Sequence, residues 1–107
     1  MAFFALEKMH KLYDGYRQRL RLHNGEWLLL QEAGKLYCIA NQCPHQQAPL
    51  HNATLLYLAN HKPALRCPAH GIEFDLESGR PVNPASCQAS LQFLPLIYNA
   101  NQVGVDL

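Results

Sequence analysis

Residues 67–81 read CPAHGIEFDLESGRP, and a shorter related segment, CPHQQAPL, occupies residues 43–50. Each segment begins with a Cys-Pro pair and continues with a histidine, at its third position in the first segment and its fourth in the second. Thiolates and imidazoles are metal ligands, and the proline after each cysteine stiffens the backbone. The two segments therefore predict a metal site that is divided between two loops. Its four candidate ligands are Cys43, His45, Cys67 and His70.

This spacing resembles the binding motif of Rieske [2Fe–2S] proteins. The first segment is similar to the family pattern C-x-H-x-G-A-P-L, and the second to C-P-x-H-G-x-x-F-D-x-x-(S/T)-G-x-P. In that family two cysteines bind one iron and two histidines bind the other. The resemblance implies one [2Fe–2S] cluster per chain. One iron would be bound by Cys43 and Cys67, and the second by His45 and His70.

One position departs from the family pattern. Gln47 stands where the family usually has glycine. A positive φ angle is costly for glutamine because its Cβ crowds the backbone. We therefore expect the first loop to bend differently from the family norm, with its ligands intact.

The composition limits the classes to which the chain can belong. It has 107 residues, of which 49% are hydrophobic, and a net charge of +1. These values suit one domain with a packed core, without the basic stripe of a nucleic-acid-binding protein. Glu7 and Lys8 interrupt the apolar start, so no signal peptide is predicted, and no stretch is long enough to span a bilayer. We expect a cytoplasmic monomer that binds neither nucleic acid nor membranes.

Four cysteines could form two disulfides, but metal binding is the better interpretation of the two beside histidines when no secretory signal precedes them. Cys38, within the apolar segment LYCIA, is expected to be a small buried residue, and Cys87 a partly exposed free thiol. Structural zinc is the chemical alternative, because two cysteines and two histidines also suit that ion. Zinc fingers usually pair like with like, which favours the iron–sulfur cluster.

The polar and apolar pattern predicts an all-β fold, a Rieske-like antiparallel β-sandwich. Strands are predicted over residues 3–12 (where a short helix is the alternative), 16–23, 26–31, 35–40, 54–58, 64–66, 72–76, 91–98 and 102–107. Asn24-Gly25 and Ala33-Gly34 supply hairpin turns. The last two strands are expected to return to the first sheet. Within a single domain of residues 1–107, a scaffold over residues 1–41 and 82–107 would carry an inserted cluster-binding subdomain over residues 42–81.

The resemblance also implies a low reduction potential. Respiratory Rieske proteins have a disulfide at positions that match Ala48 and Ala69, and hydroxyl donors near the cluster at positions that match Ile72 and Phe74. None of these four residues can supply a disulfide or a hydroxyl. With fewer hydrogen bonds to its sulfurs, the reduced cluster is less stabilised and its potential is lower. Soluble ferredoxins that feed oxygenases have this character.

The function implied by the resemblance is one-electron transfer, without a catalytic site of the protein's own. We expect electrons to pass from a flavin-dependent reductase to a terminal oxygenase through the exposed edges of His45 and His70. Two alternatives remain open: the small subunit of a multi-subunit reductase, similar to the nitrite reductase small subunit, and a redox-sensing binding module. Many such small subunits lack the ligands, whereas this chain has all four.

Overall fold

The computed structural model describes residues 2–45, 47–85 and 87–107. These residues form nine strands in three antiparallel three-stranded sheets, so the all-β prediction is confirmed. The strands are β1 (Phe3–Lys8), β2 (Arg17–Leu22), β3 (Gly25–Glu32), β4 (Lys35–Ala40), β5 (Thr54–Tyr57), β6 (Pro63–Arg66), β7 (Glu73–Asp75), β8 (Ile97–Asn99) and β9 (Gln102–Asp106), with a 3₁₀ turn (Met9–Lys11) after β1. Within the described residues, we find no helix with the length and apolar character needed to traverse a bilayer.

Strands β2, β3 and β4 form the predicted meander. A two-residue turn joins β3 to β4, and both of its residues have positive φ, 52° at Ala33 and 76° at Gly34. That backbone matches the right-handed twist of a hairpin. Between β2 and β3, the predicted Asn24-Gly25 hairpin turn is only partly confirmed. Gly25 has φ 124°, but Asn24 has a negative φ.

The two ends of the chain form a sheet of their own, in the order β1–β9–β8. The prediction that the last strands join the first sheet is therefore wrong for β8 and β9. Residues 91–96 also do not form the predicted strand. They follow the edge of β4 through two backbone hydrogen bonds and one isolated bridge, from Phe93 to Ile39. Pro95 has no N–H to continue that ladder.

The apolar run in β3 is explained by burial on both faces. Leu28 and Leu30 pack with Ile39 on one face, in a core completed by residues of β6 and β7. Trp27 and Leu29 pack on the other face, in a core that includes residues of β9. Alternate residues of one strand thus enter two separate cores. The apolar run of residues 27–30 predicts a place in the interior, and this prediction is confirmed. The meander is the middle layer of the molecule, and the ligand loops emerge beside the first of these cores.

The hydroxyl of Tyr37 is buried without a hydrogen-bond partner among the described residues. Removing an unsatisfied buried polar group does not weaken the folded state. We expect Tyr37→Phe to leave the free energy of unfolding unchanged or to raise it by up to about 1 kcal/mol. The hydroxyl of Tyr16, in contrast, donates to Glu7 Oε2 at 2.8 Å, so the matched variant Tyr16→Phe should lose about 1 kcal/mol. Urea denaturation measures both values, and a loss in Tyr37→Phe as large as in Tyr16→Phe would contradict this prediction.

Candidate metal centre

The two ligand loops share one backbone hydrogen-bond pattern. In the first loop, residues 43–48, the N–H of Cys43 donates to the carbonyl five residues later at 2.7 Å, and its carbonyl accepts from the N–H four residues later at 2.6 Å. In the second loop, residues 67–72, Cys67 makes the same two bonds, both at 2.8 Å. Each cysteine therefore closes its own loop, and the following proline stiffens the start of the turn.

The fifth residue of each loop lies in the left-handed region. Gln47 has φ 61° and Gly71 has φ 71°. The expectation that the first loop avoids a positive φ at Gln47 is therefore wrong. The N–H of Gln47 must reach the carbonyl of Cys43 to close the loop, and this requirement outweighs the steric cost of its Cβ. Gln47 is the structural counterpart of Gly71.

This strained backbone can be relieved by one substitution. Gln47→Gly removes the Cβ at a positive φ, and we expect the free energy of unfolding to rise by about 1 kcal/mol. Gln42→Gly is the matched control, since Gln42 is also exposed and precedes the same loop but has no positive φ. There the added backbone freedom of the unfolded chain should lower stability by about 0.5–1 kcal/mol. Urea titration of both variants measures the sign of each change in the free energy of unfolding. Equal losses of stability in the two variants would show that the backbone at Gln47 is not strained.

The two loop cysteines lie inside the protein. Cys43 is 0% exposed and Cys67 is 1% exposed, and both belong to the core that contains Leu50, Leu65 and Phe74. Cys67 follows directly on the last residue of β6, so the sheet fixes the place where the second loop begins. The inner side of the site thus consists of two cysteines that are shielded from water.

The two loop histidines form the outer side. His45 and His70 are both exposed, and their ring centres lie 5.4 Å apart with the ring planes at 85°. Metal–imidazole bonds are about 2 Å long, so two rings on one tetrahedral ion have their centres roughly 5 Å apart. The observed separation fits two imidazoles that share one iron.

The four residues are sorted into an inner thiol pair and an outer imidazole pair. Across residues 2–45, 47–85 and 87–107, no three His, Cys, Asp or Glu side chains converge as a site for a single ion. The donor set fits a [2Fe–2S] cluster, for which Cys43 and Cys67 would supply two thiolates and His45 and His70 two imidazoles. Soft thiolates suit iron–sulfur chemistry, and the imidazoles would carry the electron to the surface.

The remaining cysteines lie elsewhere in the cores. Cys38 is 1% exposed in the core shared with β9, where burial raises its pKa to about 11. It is a neutral buried thiol at pH 7, as expected. The expectation for Cys87 is wrong: it is 7% exposed and packs in the same core as the loop cysteines, with its thiol 3.5 Å from the carbonyl of Ala89.

Sequence reasoning missed the polar group behind the first loop. Asn41, 7% exposed, is the one buried polar residue among those described. Its Oδ1 accepts the N–H of Leu50 at 2.7 Å, and its Nδ2 donates to Glu26 Oε1 at 2.5 Å. Nδ2 also lies 3.3 Å from His51 Nδ1. An asparagine between an apolar strand and the first ligand was the signal available in the sequence.

Arg17 forms hydrogen bonds with the backbone of the residues that follow the first loop. Its guanidinium donates to the carbonyls of His51 at 3.1 Å and Ala53 at 2.6 Å, and burial lowers its pKa. The period-two pattern places Arg17, Arg19 and Arg21 on one strand face and predicts that this face is solvated. The prediction is wrong for Arg17, although Arg19 and Arg21 are exposed. For His51 the sequence predicts a solvated surface position, but this side chain is half-buried against Asn41. Arg17 on β2, Glu26 on β3 and Asn41 directly after β4 thus support the first loop and the residues that follow it.

Comparison with known proteins identifies the family. The family model of the Rieske [2Fe–2S] domain matches residues 2–95, which include both ligand loops. The ferredoxin component of the alkene monooxygenase system of Xanthobacter autotrophicus is 30% identical over 92 residues, 86% of this chain and 70% of that protein. Mouse and human apoptosis-inducing factor 3 are 31% identical over 68 residues, 64% of this chain, but the match spans only 10% of their length.

Solved structures share the fold. The ferredoxin of carbazole 1,9a-dioxygenase from Nocardioides aromaticivorans has a TM-score of 0.76 at 18% identity, with 98% of this chain and 97% of that chain covered. A putative NADH-dependent nitrite reductase small subunit from Mycobacterium tuberculosis has a TM-score of 0.76 at 15% identity, with 97% and 93% covered. The chain therefore belongs to the Rieske [2Fe–2S] domain family, and its cofactor is a [2Fe–2S] cluster.

Proposed function

We propose that this protein is a one-electron carrier, a Rieske ferredoxin that passes electrons from a flavin-dependent reductase to a terminal oxygenase in the cytoplasm. Cys43 and Cys67 ligate the inner iron, and His45 and His70 ligate the outer one. The observation that carries the proposal is the exposed imidazole pair above a buried thiol pair. The ferredoxin component that is 30% identical over most of this chain supports the assignment to an oxygenase system.

The chain's own residues define how the centre works. When bound, the [2Fe–2S] cluster supplies a one-electron redox couple. The buried Cys43 and Cys67 would hold the cluster on a side that is closed to water, and as thiolates they would offset the positive charge of the oxidised cluster. The exposed rings of His45 and His70 give a partner protein close access to the centre. Neutral imidazoles in place of two thiolates leave less negative charge around the irons, so the potential lies above that of all-cysteine ferredoxins.

Within the Rieske range the potential is expected to be low. Ile72 is half-buried and Phe74 is fully buried beside the second loop, and neither side chain can donate a hydrogen bond to the cluster sulfurs. We expect a potential near the lower end of the Rieske range, which is about −150 to +300 mV. Voltammetry on the purified holoprotein measures it. The prediction would be wrong if the value fell among the high-potential respiratory proteins.

The experiment that tests the function is low-temperature EPR of the dithionite-reduced protein, with iron, sulfide and zinc measured in the same sample. The expected result is a rhombic signal with a low average g value and two irons per chain, as mixed histidine and cysteine ligation requires. A colourless, EPR-silent protein that holds zinc after anaerobic preparation would overturn the electron-carrier proposal.

One structural likeness supports a second candidate. The putative nitrite reductase small subunit matches this chain with the same TM-score as the ferredoxin. A subunit of a larger reductase would co-purify in fixed stoichiometry with one large protein, whereas a carrier would be reduced rapidly by a soluble reductase. Affinity purification from the native host under mild conditions separates the two, and recovery of a monomer that exchanges electrons freely supports the carrier.

A further inference from the structure

Charged residues are absent from long parts of this chain. Residues 36–61 and 81–105 contain no Asp, Glu, Lys or Arg, although 16% of the whole chain is charged and about four such residues would be expected in each stretch. Residues 67–72 also contain none. All nine basic and eight acidic residues therefore lie in the remaining segments.

The fold gathers the uncharged segments around the exposed histidines. We call residues 41–45, 47–50, 67–72, 81–85 and 87–92 the uncharged collar. A cleft of about 180 Å³ beside Cys43 is lined by residues of the first loop together with Ala89, Ser90 and Gln92. A second cleft, of about 220 Å³, joins His70 to Val82 and Asn83. Ala89, Ser90 and Gln92 therefore lie beside the first loop, and Val82 and Asn83 lie beside the second. The third segment of the collar thus adjoins the other two.

Charges at the border of the collar are largely paired. Glu73, which lines the cleft beside His70, accepts from Arg66 at 2.8 Å. Glu26, behind the first loop, accepts from Asn41 and forms an ion pair with Arg21 at 3.5 Å. Arg80 borders the collar on the side of Pro84 and Gln88. Surface ion pairs of this kind leave little net field at the histidines.

The exposed side chains of the collar are amides, prolines and small apolar groups. Its exposed residues include Gln42, Gln47, Pro49, Pro68, Ala69, Val82, Asn83, Pro84, Ala85, Gln88, Ala89 and Ser90. Such a surface can make close apolar contact and neutral hydrogen bonds. It offers no counter-charge to a charged partner face, whose groups would lose water on binding without gaining an ion pair.

We propose that the uncharged collar is the docking surface for a redox protein whose own electron-exchange face is also uncharged, so that association is not steered by charge. This inference rests on the proposed electron-carrier function and specifies the chemistry of its partner. Complexes that are steered by opposite charges lose association rate steeply as salt is added. Here the rate should be nearly independent of salt.

Small redox reagents of opposite charge probe this surface directly. Dithionite-reduced holoprotein, freed of excess dithionite, is oxidised in a stopped-flow instrument by ferricyanide, an anion, and by tris(phenanthroline)cobalt(III), a cation. Between about 20 and about 500 mM NaCl at fixed pH, each rate constant should change by less than about threefold, a small effect due mainly to the cluster's own charge. A change of tenfold or more, in opposite directions for the two reagents, would overturn the inference.

Two matched variants test whether an added charge changes the oxidation rate only when it lies within the collar. Gln88→Lys places one cation in the collar and should raise the ferricyanide rate several-fold at low salt, with the gain lost at high salt. Gln18→Lys adds the same charge to an exposed glutamine of β2 outside the collar and should leave the rate within twofold of the wild type. Equal effects of both variants would show that the field at the histidines is not local, against the inference.

The outcomes separate this inference from the function on which it rests. If the reduced protein lacks the rhombic EPR signal and neither reagent oxidises it, the carrier proposal and the docking inference both fail. If the signal is present and both reagents react, but with a steep salt dependence, the carrier stands and only the uncharged docking surface is refuted.

Discussion

Replacement of Cys43 or Cys67 by alanine is expected to abolish the rhombic EPR signal and to reduce bound iron to below about one tenth of the wild-type content. On the proposed ligand set, each variant removes one of the two thiolates that would bind one iron of the cluster, and a histidine would not replace a thiolate there. Iron and sulfide analysis together with EPR on anaerobically purified protein measures the loss.

The two other cysteines provide unusually close controls. All four cysteines are buried, so each alanine variant removes one buried sulfur. Cys87 shares its core with the loop cysteines, and Cys38 lies in the other core. Cys87→Ala and Cys38→Ala should each cost about 1 kcal/mol of stability and keep the full iron content. If Cys87→Ala lost the cluster while Cys43→Ala retained it, the proposed ligand set would be wrong.

Asn41→Ala is expected to lower the free energy of unfolding by about 2–4 kcal/mol. The substitution leaves the N–H of Leu50 without its acceptor and the carboxylate of Glu26 without the amide that donates to it at 2.5 Å. Leu50 is fully buried, so its N–H gains no water in the folded state. Urea denaturation of wild type and variant, followed by circular dichroism, gives the difference.

Variants of exposed asparagines test whether burial of Asn41 is the reason for the large loss of stability expected in Asn41→Ala. The side chain of Asn60 accepts the N–H of Lys62 at 3.1 Å, and that of Asn83 accepts the N–H of Ala85 at 3.1 Å, both in exposed turns. Water can take the place of these acceptors, so Asn60→Ala and Asn83→Ala should each cost no more than about 0.5 kcal/mol. A loss of that size in Asn41→Ala would contradict the bracing role of Asn41.

The ligand loops could be predicted from sequence because their information is local. A cysteine, a proline and a histidine within four positions restrict both the backbone and the chemistry, and neither depends on distant residues. The meander was predictable for a related reason, since its hairpin turns and its alternation are short-range signals. The division of the chain into a scaffold and an inserted cluster-binding subdomain over residues 42–81 stays a prediction.

Some predictions from the sequence were wrong because the conformation depends on a residue far away in the chain or on a backbone hydrogen bond. Arg17 has the pattern of a solvated strand residue, but its carbonyl partners lie 34 and 36 residues later. The alternation in residues 91–96 favours a strand, but these residues pair with the edge of β4 through an isolated bridge instead of a continuous ladder. At Gln47 the sequence shows the cost of a positive φ, and the bond to Cys43 that enforces it becomes visible only in the structure.

The burial of Cys43 and Cys67 has a consequence for the life of the protein in a cell. Because Cys43 and Cys67 are part of the hydrophobic core, a cluster bound by these two proposed ligands would be attached to the interior of the protein. A group that binds only the folded chain shifts the folding equilibrium toward that state. Chains made during iron shortage should therefore open more often and be degraded sooner. We expect the amount of this protein to follow the iron supply, even when its synthesis is constant.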